Sequence, residues 1–394
     1  MAMENPFEGK EIWFGVGSQD LYGEEALRQV AQQTGEMVDF LNATGKIPAK
    51  IVLKPTLKSS DGVKAFMTEA SANPNVIGVI TWCHTFSPSK MWINGFVNLQ
   101  KPYCHFATQY NREIPNEEID MDFMNLNQSA HGDREFGHIC ARMRKNRKVV
   151  VGHWQDEAAQ KKIAAWMRVC AAWADAQDML ILRFGDQMNN VAVTDGDKVA
   201  AEQTLGYHVD YCPINDLMVY YRAVEDADTK ALVEQYWAEY DHDPKLEEPG
   251  TEAYTKVWNS AKAEIALRRL LKDKGAKGFT TNFDDLGEFD QIPGLASQRL
   301  MKEGYGFGAE GDWKTAALYR TMWFMSQGMP KGCSFLEDYT LNFDGEKSAI
   351  LQAHMLEVCP LIAEHKPKLE VHRLSIGIDS ETARLVFTLS LIHI

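Results

Sequence analysis

A carboxylate and an imidazole on one face of a sheet make a donor pair suited to a divalent cation such as Mn²⁺. Glu337 and His354 are placed to form such a pair. They flank Asp344-Gly345, a hairpin turn signal between two strand-like runs within Phe335–Val358. If Asp344-Gly345 is a two-residue loop, Glu337 pairs with Gln352, and His354 shares its face two residues on. If the loop is Gly345-Glu346, Glu337 lies directly opposite His354. Either register brings the two within diagonal reach, whereas a three-residue loop would separate them. The plainer alternative is an exposed Glu and an exposed His on a solvated antiparallel face.

Glu310 lies in a glycine-rich stretch, Gly304–Trp313 (GYGFGAEGDW). Glycines let a backbone adopt positive φ and come close to a ligand. Gly306, Gly308 and Gly311 formally match the dinucleotide-binding fingerprint. That motif must follow a strand and open a helix. Here the preceding segment reads as helical with Gly304 as its stop, so dinucleotide binding is set aside. The first strand-to-helix turn, GSQDLYG at Gly17–Gly23, holds Ser18, Gln19, Asp20 and Tyr22. Small polar ligands bind at this end of strands in α/β sheets. An N-cap role for Ser18 or Asp20 accounts for the same residues. Trp82–Pro88 (WCHTFSP), which contains His84, is open to the same two readings.

The elements that must carry these residues alternate between strand and helix. Strands are expected at Glu11–Gly17, Lys50–Leu53, Val76–Trp82, Pro102–Phe106 and Lys148–Gly152, with helices between them. After a long helix, Glu157–Ala176, the alternation resumes with strands at Met179–Phe184, Val209–Cys212 and Phe279–Asn282. Buried strands separated by helices imply parallel sheets covered on both faces. Past Pro330 the period changes to strand-like runs at Ser334–Phe343, Ala349–Val358, Leu369–Ile376 and Arg384–Leu389. The expected fold class is therefore α/β: two doubly wound, Rossmann-like parallel-sheet domains (1–177 and 178–328), then an incomplete antiparallel β-rich domain (329–394).

Composition limits the function classes. The chain has 394 residues, with 45% apolar and 24% charged side chains, as in a soluble globular protein of two or three domains. No run approaches the roughly 20 apolar residues a membrane span needs, and residues Met1–Lys10 do not read as a signal peptide. The net charge of −14 and the lack of a basic face argue against nucleic-acid binding. The seven cysteines are scattered with no CxxC pair. They read as buried thiols in a reducing compartment, and the expected location is the cytoplasm.

Several long segments resemble the L-arabinose isomerase family. They are WFGVGSQDLYGEEALRQV, WCHTFSPSKMWINGF, NLNQSAHGDREFGHI, VAVTDGDKV, GLASQRLMKEGYGFGAEGDWKTAAL, SFLEDYTLNF and LQAHMLEVCP, and the resemblance runs to about Phe387. It implies interconversion of L-arabinose and L-ribulose through an ene-diol, and in related members of D-galactose and D-tagatose. It also implies one Mn²⁺ or similar divalent ion per subunit, held by two Glu and two His, and assembly as a homo-hexamer. By motif match, Glu310 and Glu337 are the carboxylate ligands and the acid–base pair, and His354 is the first histidine ligand. Gln19, Leu21, Met188, Phe283 and Ile376 resemble substrate-pocket residues. His131 resembles a histidine that completes the pocket across a subunit contact. An isomerase of the L-fucose type, or a fragment that keeps the fold without turnover, are the competing expectations.

Two departures from the family stand out. Asn189 follows Met188 where the family usually has Arg. The chain closes on LSLIHI at Leu389–Ile394, which resembles nothing in the family. The second metal histidine belongs to a Gly-Ala-His-His type motif with no match here, and His393 is not assigned to that role. The expectation is a C-terminally truncated enzyme that binds Mn²⁺ weakly and turns over slowly.

Overall fold

The computed structural model describes residues 5–117, 119–330, 332–375 and 378–389. The chain divides into two compact units, Glu4–Ala174 and Asp175–Ile394.

The N-terminal unit is built on five parallel strands: β1 (Glu11–Gly17), β2 (Lys50–Leu53), β3 (Val76–Cys83), β4 (Tyr103–Ala107) and β5 (Lys148–Val151). Their order is β2-β1-β3-β4-β5. β3 is buried along its whole length, as its unbroken apolar run requires. The helices are α1 (Gly23–Ala43), α2 (Ser60–Ala72), α3 (Ile93–Asn98), α4 (Met121–Leu126), α5 (Ser129–Arg142) and α6 (Glu157–Ala176). α1 buries Val30, Met37, Val38 and Leu41, one face at helical spacing. Strand order reverses between β1 and β3, so their carboxyl ends frame the crevice where such sheets take ligands. Gly17–Gly23 and Trp82–Pro88 both lie there.

The C-terminal unit begins with a second parallel sheet. β6 (Leu180–Phe184), β7 (His208–Cys212), β9 (Gly278–Thr280) and β10 (Gly306–Gly308) are arranged in the order β10-β9-β6-β7. Between them run α7 (Lys198–Leu205), α8 (Ile214–Arg222), α9 (Asp226–Glu239), α10 (Glu252–Lys274), α11 (Gly294–Lys302) and α12 (Trp313–Ser326). One side of the sheet packs Leu182, Phe184, Phe279 and Phe307, and the other packs Ile181 with Trp313, Ala316 and Ala317. Both faces are therefore covered, as expected.

β10 corrects the reading of the glycine-rich stretch, because GFG at Gly306–Gly308 is itself a strand paired parallel to β9. The glycines are there for close packing. A Cβ on Gly306 would lie 2.2 Å from the Ala316 carbonyl oxygen, and one on Gly308 would lie 2.3 Å from that of Asp312. They seat α12 against the sheet, so the fingerprint match has a packing cause. Gly304, at φ 99°, does end the preceding helical segment.

The β-rich tail was expected as a separate antiparallel domain. It forms two small sheets, which by their contacts belong to the C-terminal unit. β11 (Glu337–Asn342) and β12 (Ala349–Ala353) make an antiparallel hairpin. β13 (Lys368–Leu374) and β14 (Ser380–Val386) pair antiparallel, and β13 also pairs parallel with a short strand, β8 (Asp241–His242). Shared cores join these sheets to the rest of the unit. Phe335, Leu356, Cys359 and Leu374 pack with Phe279 and Phe307, while Leu369, Ala383 and Leu385 pack with Val233 and Tyr236. The buried Gln298 side chain donates to the carbonyls of Val358 and Leu385 and accepts from the Leu385 amide. Among the described residues, no helix is long and apolar enough to cross a membrane.

Candidate functional site

Three loops at the carboxyl ends of β6, β9 and β10 are tied together by hydrogen bonds. The Met188 amide donates to the Glu310 carbonyl at 3.1 Å, and the Gly311 amide donates to the Thr281 carbonyl at 3.0 Å. The Asn282 side-chain amide donates to the Asp186 carbonyl at 2.7 Å. Asp312 then caps α12, accepting from the amides of Lys314 and Thr315. Glu310 therefore sits on a rigid turn between a strand and a helix. Its φ of 62° is in the left-handed region, unusual for a residue that is not glycine. Gly311 beside it has φ 82°, and a Cβ there would come within 2.5 Å of Gln187 Cα. Backbone strain of this kind gathers at functional sites.

The hairpin delivers the other two expected ligands, though by neither expected register. Asn342 pairs with Ala349, so residues 343–348 form the loop, and a bulge at Tyr339 shifts the pairing so that Glu337 faces Ala353. His354 lies just past the end of β12 and is freed from strand alternation. Its Nε2 comes within 3.8 Å of Glu337 Oε2. A bulge re-aims side chains in this way. The His354 side chain is 3% exposed and that of Glu337 is 42% exposed, so the pair sits at the edge of solvent.

The charges converge as well. Burial, followed by the Glu337 carboxylate, pushes the Glu310 carboxyl above its ordinary range, with Asp312 adding to this and His354 partly offsetting it. For His354, burial works against a charged ring. The carboxylates of Glu357, Glu337 and Glu310 together outweigh it and hold the pKa above its usual value. The Tyr339 hydroxyl is raised by burial and then by Glu337 and Glu357. Two carboxylates and an imidazole form a mixed oxygen and nitrogen donor set, which fits Mn²⁺ chemically. A carboxyl raised by a like charge marks a place where a cation would be welcome.

Other expected residues fall in two places. Met188 and Phe283 are half-buried in the C-terminal unit, on the loops already described, and Phe283 packs against the main core. Asn189 is exposed beside Met188. Gln19, Leu21 and His131 belong to the N-terminal unit. Leu21 is 82% exposed, an unusual setting for a leucine. His131 is exposed with its ring 4.7 Å from that of Phe86. Ile376 and His393 lie outside the described residues. The capping alternative for the first turn does not hold. Ser18 is buried against the Thr85 hydroxyl at 2.8 Å, Asp20 pairs with Lys58, and Gln19 at the N-cap makes no side-chain cap bond. Glu357, which no motif singled out, touches His354 from behind.

His84 is structural. It stacks on Trp82 at 4.5 Å and its Nε2 lies 2.6 Å from Gln33 Oε1. Burial lowers its pKa from 6.5 to about 4. Between these two values the unfolded chain takes up a proton that the folded chain refuses. Stability contributed by neutral His84 is thus complete above pH 6.5 and is lost as pH falls toward 4, with a total of about 3 kcal/mol. Thermal unfolding of the protein and of His84→Gln between pH 7 and pH 4 checks this. The unmodified chain should show the steeper decline, and parallel curves would refute the assignment.

Among the described residues, one tighter set of metal-type donors exists: Cys83, His105 and Asp133, all within 4.8 Å of one another. Both imidazole nitrogens already have partners. His105 Nδ1 lies 3.0 Å from the Thr81 hydroxyl and its Nε2 lies 2.7 Å from Asp133. Burial holds the Cys83 thiol well above its ordinary pKa. This is a hydrogen-bonded relay in the core of the N-terminal unit.

Comparison with known proteins decides the family. Models of the L-arabinose isomerase N-terminal, central and C-terminal domains match residues 6–178, 180–328 and 332–391. The chain belongs to the L-arabinose isomerase family. L-arabinose isomerase of Phocaeicola vulgatus is 68% identical over 98% of this chain and 77% of that protein. Those of Bacteroides thetaiotaomicron and Bifidobacterium adolescentis are 66% and 58% identical over the same shares. The family match reaches residue 391, which corrects the expected break in resemblance at about Phe387. The alignments span about three quarters of each relative's own length.

Proposed function

We propose that the protein is an L-arabinose isomerase that interconverts L-arabinose and L-ribulose with a divalent metal ion, Mn²⁺ or a close equivalent. The observation that carries this reading is the approach of His354 Nε2 to Glu337 Oε2 beside the strained turn that presents Glu310. Family membership supplies the sugar.

Glu310, Glu337 and His354 would hold the ion. When bound, it supplies Lewis-acid stabilisation of negative charge on the sugar oxygens. The remaining work is proton transfer. The hydrogen on C2 of the open-chain aldose moves to C1, and an ene-diol lies between the two. A carboxylate within reach of both carbons takes the proton and returns it, with the second carboxyl as its acid partner. Half-buried Met188 and Phe283 lie on the loops tied to this turn and offer apolar surface suited to the carbon side of a sugar. No redox cofactor enters, because oxidation states exchange within one molecule. The same chemistry extends to D-galactose.

Incubation with L-arabinose and Mn²⁺ should yield ketose in a colorimetric assay. Dialysis against EDTA should abolish the signal, and Mn²⁺ should restore it. Ketose formation that ignores chelation would reject the metal reading. A homo-hexameric assembly in the cytoplasm is part of the same proposal, and sedimentation velocity measures the assembly directly.

A further inference from the structure

The two ring nitrogens of His354 face different partners. Nε2 is the one that approaches Glu337. Nδ1 lies 2.9 Å from Oε2 of Glu357, and the Glu357 amide lies 3.3 Å from the same nitrogen. The amide would need a lone pair on Nδ1, and the carboxylate needs a proton there. The carboxylate contact is shorter and charge-assisted, so it decides the tautomer. The Glu357 side chain is 2% exposed, and its Oε2 is buried with no partner apart from this ring among the described residues.

The arrangement is built into the fold. A bend at Met355-Leu356 folds Glu357 back under the ring. Arg384 Nη1 anchors that bend through the Met355 carbonyl at 3.0 Å. The Cys359 amide donates to the Ser334 hydroxyl at 2.8 Å, and the Phe335 ring stands edge-on to His354 at 4.9 Å. A buried acid held against the Nδ1 edge of a histidine with such support has few purposes other than orienting it.

We propose that Glu357 is a positioning residue: it keeps the proton on Nδ1 of His354, so that Nε2 presents its lone pair toward Glu337 for a divalent cation. The inference rests on the metal-site reading above and adds the residue that fixes its histidine.

The test is Mn²⁺ binding to the purified protein, followed by electron paramagnetic resonance titration and by the ¹⁴N modulation that a coordinated imidazole imposes on the Mn²⁺ signal. Four proteins are compared: unmodified, His354→Ala, Glu357→Gln and Glu357→Leu. Glu357→Gln keeps shape and an acceptor oxygen, so it should fold and weaken Mn²⁺ binding about tenfold with an altered ¹⁴N pattern. Glu357→Leu should weaken it about a hundredfold. If Glu357→Gln binds Mn²⁺ with unchanged affinity and an unchanged ¹⁴N pattern while His354→Ala binds poorly, Glu357 has no positioning role and the metal site stands. If His354→Ala binds as well as the unmodified protein, the metal site itself is wrong and the role of Glu357 falls with it.

Discussion

Glu310→Gln is expected to lower ketose formation from L-arabinose by about a thousandfold, within the range lost when a positioned proton-transfer group is removed. The substitution keeps the side-chain shape. The bonds that fix this turn are backbone bonds, Met188 amide to Glu310 carbonyl and Gly311 amide to Thr281 carbonyl, and they do not depend on the carboxylate. The fold should therefore survive with its thermal midpoint unchanged, and the loss should be one of chemistry. On the proposed function, the charge removed is the one that, with Glu337, would attract a cation and exchange a proton with the sugar. Glutamine does neither well. Ketose assays run beside thermal unfolding separate the two effects. Activity within tenfold of the unmodified protein would take Glu310 out of the reaction.

The largest effect on stability is expected at Glu264. This carboxylate is fully buried in α10. It accepts from the Tyr236 hydroxyl at 2.6 Å and from Arg268 at 2.6 Å, and it pairs with Arg299 Nε at 3.0 Å. Arg299 also reaches Glu239 and the Tyr240 hydroxyl, both at 2.7 Å. Glu264→Leu leaves a buried guanidinium and a buried phenol short of their common partner. Removing one member of such a network costs about 3–5 kcal/mol. In a unit of this size that corresponds to roughly 10 °C in midpoint. Glu264→Gln, which can still accept from Tyr236, should lose less. Calorimetry of both variants measures the effect, and a shift under 2 °C for Glu264→Leu, far below the roughly 10 °C expected, would show that the network relaxes around the loss. The network joins α9, α10 and α11, and α11 leads directly into β10 and the turn carrying Glu310.

Much of this architecture is legible from periodicity. The strands of both parallel sheets apart from β10, and the long helix α6, are strongly patterned, and their expected spans agree with the observed ones to within a few residues. Elements shaped by tertiary packing are not legible. β10 is a strand of Gly-Phe-Gly, a composition with little intrinsic strand preference, and the demands of α12 impose it. α4 has only six residues, too few for a helical period to show. α8 buries Leu217, Met218 and Tyr221 at helical spacing, so its signal was present in the sequence. At the site, Glu337 and His354 do meet, but through neither of the registers that the Asp344-Gly345 signal suggested. The register could not be read, because the bulge at Tyr339 and the loop at 343–348 leave no mark in residue type. Glu357 escaped notice because its contact depends on a bend after the strand.

The turn at Glu310 also bears on how this chain can change. A left-handed φ is one that glycine adopts freely and glutamate does not, at a cost of about 1–2 kcal/mol. Selection for durability and selection for chemistry therefore pull in opposite directions at this position. Glu310→Gly would relieve this strain and, on the proposed function, remove a metal-binding carboxylate in the same step.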